Sequence, residues 1–317
     1  MLMVNDEEVR ALLPMSDCVE ALDRVFRESA AGTVSNMSRY RVPLMRGSHQ
    51  VMAASSAELG FTGLKTYVSS GGGGSQMVVL LYSIETAQPV AFIAANSLGA
   101  IRTGATSGVA TRYMAPDGAS TAGVIGSGSQ ARTQLAAVCA VRPIERALVY
   151  SRTQAHREAF ADEMSQSLGI AVEPVDSAEA AVADADVVCV ITNAREPVVD
   201  GTAFRDGTHV NAAGSNSWMR RELDEAAVRR CALVVVDDLE DAKIECGDLI
   251  WAAERRAFRW ERAVELRDVV GGRVSGRPSP DAITLFESQG LALEDIAAGA
   301  HVYHQALERG MGREVAV

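Results

Sequence analysis

Positive charge is in short supply in this chain of 317 residues: 30 Lys and Arg stand against 41 Asp and Glu, a formal net charge of −11. A surface of that sign repels polyanions, so nucleic acid is not an expected partner, and an anionic small molecule has to be held by a few cations placed together. Cysteine is sparse as well. Its five residues, Cys18, Cys139, Cys189, Cys231 and Cys246, are odd in number and far apart, and most sit in apolar runs such as Val187-Val188-Cys189-Val190-Ile191. That spacing fits neither a disulfide framework nor a zinc site and points to reduced core thiols of a cytoplasmic protein. There is no apolar run of about 18 residues, and the N-terminus reaches Asp6, Glu7 and Glu8 at once instead of passing from a basic to an apolar stretch, so no membrane partner is expected. His49, His156, His301 and His304 form no grouping beyond the helical i, i+3 pair His301 and His304, which reads as a helix surface or dimer contact; no metal is expected. Nor does a G-x-S-x-G nucleophile elbow occur.

What is present is ordinary globular composition, 48% hydrophobic and 22% charged, in a length that suits two domains or one large one. The texture of the chain changes near Pro116-Asp117-Gly118. Before it, Ser16 to Ala31 reads as an amphipathic helix capped by Ser16 or Asp17, and Gln50 to Ala54, Gly63 to Val68, Met77 to Ser83 and Val90 to Ala94 read as strands of a mixed α+β unit. The four glycines of Ser69 to Ser75 suit a substrate lid or a plain connector. After Gly118 apolar strands and helices alternate: strands over Thr121 to Ile125, Arg146 to Tyr150, Val187 to Ile191, Thr208 to Ala212 and Leu233 to Val236, with helices including Gln130 to Val141, Thr153 to Leu168 and Arg221 to Arg230. This rhythm predicts an α/β fold, a Rossmann-type doubly wound parallel sheet covered on both faces. The tail from Ile283 to Glu308 reads as helix.

Between the first of these strands and its helix lies Gly126-Ser127-Gly128-Ser129-Gln130-Ala131, a G-x-G-x-x-A turn in the strand-turn-helix context that dinucleotide binding requires. The second strand ends in Tyr150-Ser151-Arg152-Thr153, with no carboxylate to hold a free ribose 2′-hydroxyl. Arg152, flanked by Ser151 and Thr153, favours NADP(H) over NAD(H), unless it is merely a solvated residue opening the next helix.

Gly63-Leu64-Lys65, Ile101 to Ser107, Gly126 to Ala131, His209-Val210-Asn211-Ala212-Ala213-Gly214, Arg221-Glu222-Leu223-Asp224 and Leu285 to Gly290 are spread along nearly the whole length. In these motifs the chain resembles the ornithine cyclodeaminase/mu-crystallin family. The resemblance implies a homodimer, with residues 1–115 plus 294–317 as an α+β dimerisation and substrate domain and 116–293 as the Rossmann domain. It implies chemistry on small amino or imino acids through a nicotinamide cofactor, with Arg102, Thr103 and Thr192 joining Gly126, Ser127, Gly128, Ser129, Gln130, Ser151, Arg152 and Thr153 around that cofactor. It implies further that Arg39, Lys65 and Arg102 hold a substrate carboxylate, a task that an acidic protein must assign to local cations. Arg41 rivals Arg39 for that place, and Lys65 is either such a cation or a surface lysine.

Where cyclodeaminases carry an aspartate two residues after the glycine of Asn-Ala-Ala-Gly, this chain has Asn216. An amide orients a substrate but takes up no proton near neutral pH, which argues against cyclodeamination. The expected activity is therefore NADPH-dependent reduction of a ketimine carboxylate such as pyrroline-2-carboxylate, with Lys65 and Asn216 as catalytic groups. Ornithine or lysine cyclodeamination, amino acid dehydrogenation and non-catalytic NADPH-dependent ligand binding are the alternatives.

Overall fold

The computed structural model describes residues 1–70 and 75–316, so the glycine run 71–74, read above as lid or connector, lies outside the described residues. Two compact units emerge, Met1–Arg102 with Leu291–Val317, and Thr103–Gly290. The boundary falls inside a helix, Asn96–Met114, rather than at Pro116. No helix among the described residues is long and apolar enough to cross a membrane.

The first unit is a largely antiparallel sheet. Its strands run in the spatial order Arg313–Glu314, Leu2–Val4, Pro89–Ala94, Val78–Ser83, Phe61–Ser69, Ser48–Ser56 and Val34–Asn36, and Tyr40–Pro43 also pairs with Ser48–Ser56. In Ser48–Ser56 burial alternates along the strand, as one face against a core demands. The helix Met15–Ala31 buries Val19, Leu22, Val25 and Phe26, as their spacing predicts. Its N-cap is Pro14, with no capping side-chain bond, rather than Ser16 or Asp17: proline is pre-set in φ and both hydroxyl and carboxylate fall inside the first turn.

The second unit is an eight-stranded sheet in the order Ala171–Pro174, Arg146–Tyr150, Thr121–Ile125, Val187–Val190, His209–Ala212, Thr284–Glu287, Leu233–Val236 and Ala263–Glu265. Every pairing in it is parallel. This is the doubly wound α/β fold that the alternation of elements predicts. The reason for fully apolar strands is visible in Val187–Val190, where Val187 and Cys189 enter one core and Val188 and Val190 the core on the opposite face. All five cysteines are free thiols.

Two expectations fail. The segment 283–308 is not one helix: Thr284–Glu287 is a central strand, and the helix Ala292–Arg309 starts only after Gly290 turns the chain with φ +80°. Helix likewise begins at Glu225, capped by Asp224, and not at Arg221. The backbone N–H groups of Glu222 and Leu223 are instead taken by the buried Asp248 carboxylate, at 2.7 and 2.8 Å.

Candidate active site

Strand Thr121–Ile125 delivers the chain to Gly126, whose φ of +115° is a conformation glycine tolerates and in which a Cβ would press on the Ile191 carbonyl. The helix Ser129–Val141 then opens at Gly128 with no side-chain cap, so its first N–H groups are left for an incoming acceptor. The turn is braced: Arg132 donates to the Ser127 and Gly128 carbonyls at 3.1 and 3.0 Å and is itself held by Glu163. The Ser127 hydroxyl donates to that of Ser151 at 3.0 Å, tying the turn to the end of strand Arg146–Tyr150.

Above these ends is a cavity of about 830 Å³ lined by the Gly126 to Ala131 turn, by Tyr150 to Thr153 with His156, by Ile191 to Val198 and by Gly214. Of the residues expected around a cofactor, Gly126, Ser127, Gly128, Ser129, Gln130, Ser151, Arg152, Thr153 and Thr192 therefore share one cavity. Thr103 does not line it; it sits in the helix Asn96–Met114 and its carbonyl accepts from Gln134 at 3.3 Å. Sequence reasoning passed over His156, Arg195 and Glu196, which carry no motif. A glycine turn, an uncapped helix N-terminus and a polar second strand end are what a dinucleotide's pyrophosphate and ribose need, so the residues fit a nicotinamide dinucleotide.

The histidine of His209 to Gly214 has a different task. His209 bonds to Thr284 at 2.9 Å and Asn211 at 3.2 Å, and Asn211 donates to Thr111 at 3.0 Å, a buried chain that joins strand to helix. Burial takes its pKa down to about 3, so it serves as a neutral structural group.

In the first unit, Lys65 and Arg102 are both buried. Each faces a carboxylate in the opening turn of helix Ala292–Arg309: Lys65 Nζ lies 2.6 Å from Asp295, Arg102 Nη1 is 2.6 Å from Glu294 and Arg102 Nε is 3.0 Å from Asp295. Arg39 completes the group, near enough for its charge to bear on Lys65. Lys65 and Arg102 thus face two acids, with the half-buried Arg39 beside them. Burial and then the Arg102 charge depress the Lys65 ammonium to about 8, against the opposing pull of Asp295. Burial likewise pushes the Glu294 carboxyl up, while Arg102 opposes it. The sequence showed the cations but not Glu294 and Asp295, because an acid pair at a helix start usually serves the helix dipole. His301 and His304 lie on the same helix; His304 meets the Phe61 ring at 5.5 Å, and no group of three or more His, Cys, Asp or Glu among the described residues could hold a metal.

Asn216 follows strand His209–Ala212 in the second unit, on a loop that Ser215 braces by donating to the Ser217 carbonyl at 3.2 Å. The Trp251 indole donates to the Trp218 carbonyl at 2.9 Å, and the Arg221 and Arg255 guanidiniums each lie over its ring, 4.5 and 4.6 Å from the centroid.

Comparisons with known proteins agree with this architecture. A Delta(1)-pyrroline-2-carboxylate reductase of Bacillus cereus is 32% identical over 99% of both chains. The structure of Thermococcus litoralis Delta(1)-pyrroline-2-carboxylate reductase in complex with NADH and L-proline superposes with a TM-score of 0.94 at 37% identity, covering 99% of this chain and 100% of that one. An archaeal alanine dehydrogenase dimer with bound NAD gives 0.93 at 31% identity over 100% and 99% of the two chains. The profile of the ornithine cyclodeaminase/mu-crystallin family matches residues 1–310, and the chain belongs to that family.

Proposed function

We propose that this chain is an oxidoreductase acting on C–N bonds, a nicotinamide-dependent reductase of small cyclic ketimine carboxylates such as pyrroline-2-carboxylate, with NADP(H) preferred to NAD(H). The observation that carries the assignment is the buried pair Lys65 and Arg102 set against Glu294 and Asp295, with the Arg39 charge bearing on Lys65. Relatives named for this reaction at 32% identity, and a structure with NADH and L-proline, support it.

A nicotinamide dinucleotide held in the cavity would supply a hydride to the imine carbon. Ser127 to Gln130 and the uncapped helix start would hold its pyrophosphate, and Arg152, flanked by Ser151 and Thr153, would meet a 2′-phosphate. Arg39 and Arg102 fix the substrate carboxylate, while Glu294 and Asp295 keep the Arg102 fork in one orientation. Lys65 Nζ gives a proton to the imine nitrogen, so that the C=N bond takes up hydride at carbon and proton at nitrogen and becomes a secondary amine. Asp295 is the acceptor that keeps Nζ charged between turnovers. Asn216 orients the imine without competing for its proton. The molecule pairs as a homodimer; the alanine dehydrogenase neighbour is a dimer.

Purified protein mixed with NADPH and pyrroline-2-carboxylate should oxidise the nicotinamide repeatedly and form proline, followed at 340 nm and by chromatography. Tight NADPH binding without turnover across a panel of cyclic imine acids would favour a ligand-binding protein instead.

A further inference from the structure

The segment Arg221 to Asp224 carries a buried carboxyl that the reaction above does not use. The ladder between strands Val187–Val190 and His209–Ala212 ends just beyond their last residues, with Ala213 N–H still donating to the Val190 carbonyl at 3.1 Å. Past that point Thr192 and Gly214 line the cavity, and their N–H groups turn to a side chain. Glu222 takes both. Its Oε1 accepts from Thr192 at 2.5 Å and its Oε2 from Gly214 at 2.7 Å. A Cβ on residue 214 would collide with this carboxyl and with the Thr192 carbonyl, so glycine is required there.

Glu222 is itself fixed from behind. Its own N–H and that of Leu223 donate to Asp248, and its carbonyl accepts from Val198 N–H at 2.9 Å, Val198 being another residue of the cavity wall. One buried residue thus holds three points of that wall, two through its carboxylate and one through its backbone carbonyl.

We propose that Glu222 is a positioning residue that sets the nicotinamide half of the dinucleotide pocket by holding Thr192 and Gly214 at a fixed separation. In a doubly wound sheet whose second strand receives the adenosine ribose, the other mononucleotide lies over the strands on the opposite side of the glycine turn, here Val187–Val190 and His209–Ala212. A carboxylate suits the task because it offers two acceptors and no donor; the amide of glutamine turns an NH₂ toward one of the two N–H groups. Asn216 lies two residues past Gly214, so the same clamp carries over to the orienting amide.

The inference rests on the dinucleotide assignment made above, and fragment binding separates the two. Dinucleotide and adenosine 2′,5′-bisphosphate, which carries only the adenosine half, are titrated by fluorescence and calorimetry into wild type, Glu222→Gln and Glu222→Asp. Wild type should bind both. Glu222→Gln should raise the NADPH Kd at least tenfold and leave the bisphosphate Kd within twofold; Glu222→Asp, which keeps two acceptors, should fall between. In wild type, peptides holding Thr192 and Gly214 should exchange their amide hydrogens slowly, a readout that needs no variant to fold. No NADPH binding by wild type would refute the pocket assignment itself. An unchanged NADPH Kd in Glu222→Gln, equal losses for dinucleotide and bisphosphate, or fast exchange at Thr192 and Gly214 would overturn the role of Glu222.

Discussion

Lys65 Nζ and Asp295 Oδ2 stand 2.6 Å apart in a site from which solvent is almost wholly excluded, joining a central strand to the first turn of the last helix. An isolated ammonium there would give up its proton; with Asp295 beside it the proton is held up to about pH 8. As donor, Lys65 works in its charged form, so reduction should slow as pH rises through about 8. Removing the acid lowers an ammonium pKa, hence Asp295→Asn should move that limb to lower pH. Glu294→Gln removes an equal charge that faces Arg102 and reaches Lys65 more weakly, and should move the limb less than Asp295→Asn does. Rate against pH for the three proteins checks this, and superimposable profiles would remove Lys65 from proton delivery.

Lys65→Ala should cut kcat/KM about a hundredfold, a loss of about 2.7 kcal/mol of transition-state stabilisation. Steady-state kinetics at pH 7 decide it. A wild-type rate would show that the ammonium neither anchors nor protonates substrate.

Arg102→Ala should harm more than turnover. It strips Glu294 and Asp295 of their guanidinium partner while both stay buried, at a cost of about 3–5 kcal/mol to folding. Adding Glu294→Gln to it should recover part of that cost. Urea denaturation of the two variants measures both, and a midpoint for Arg102→Ala equal to wild type would mean that the carboxylates are protonated or solvated.

Arg152 lines the cavity at the end of the second strand with no acid nearby in sequence, so NADPH should bind at least tenfold tighter than NADH, about 1.4 kcal/mol. Arg152→Ala should erase most of the difference. Fluorescence titration of both cofactors tests this, equal affinities in wild type being the adverse result.

Much of this was legible in the residues. The strand Thr121–Ile125 and the turn after it follow from an apolar run meeting two glycines, and the structure leaves those strand bounds unchanged. The long helix Asn96–Met114 was not foreseen as an element: small, hydroxyl and apolar residues are mixed all round it, so it has no stripe to betray it. The strand Thr284–Glu287 was mistaken for helix because four buried residues are too few for periodicity to act on. The partners of Lys65 and Arg102 were hidden for another reason: Glu294 and Asp295 lie far away in the chain, and only the packing of the last helix on the strand Phe61–Ser69 brings them in. Glu222 was quoted as part of a motif, yet its role depends on two N–H groups that no pattern of side chains reveals.

Asn216→Asp restores a group that can take up a proton at the place where cyclodeaminases have one. Some ammonia release from L-ornithine should then appear, with a slower ketimine reduction. Ammonia assay of the variant reads this directly, and a variant that reduces ketimine as fast as wild type and releases no ammonia would show that residue 216 does not decide the reaction.

The unaltered chain should reduce a ketimine carboxylate and should not cyclise a diamino acid. Wild-type protein should be given NADPH with pyrroline-2-carboxylate in one vessel and an oxidised nicotinamide cofactor with L-ornithine in another, with proline and ammonia measured in both. Proline formed in step with NADPH oxidation in the first, and no detectable ammonia in the second, is the predicted result; vigorous ammonia release from L-ornithine would contradict it.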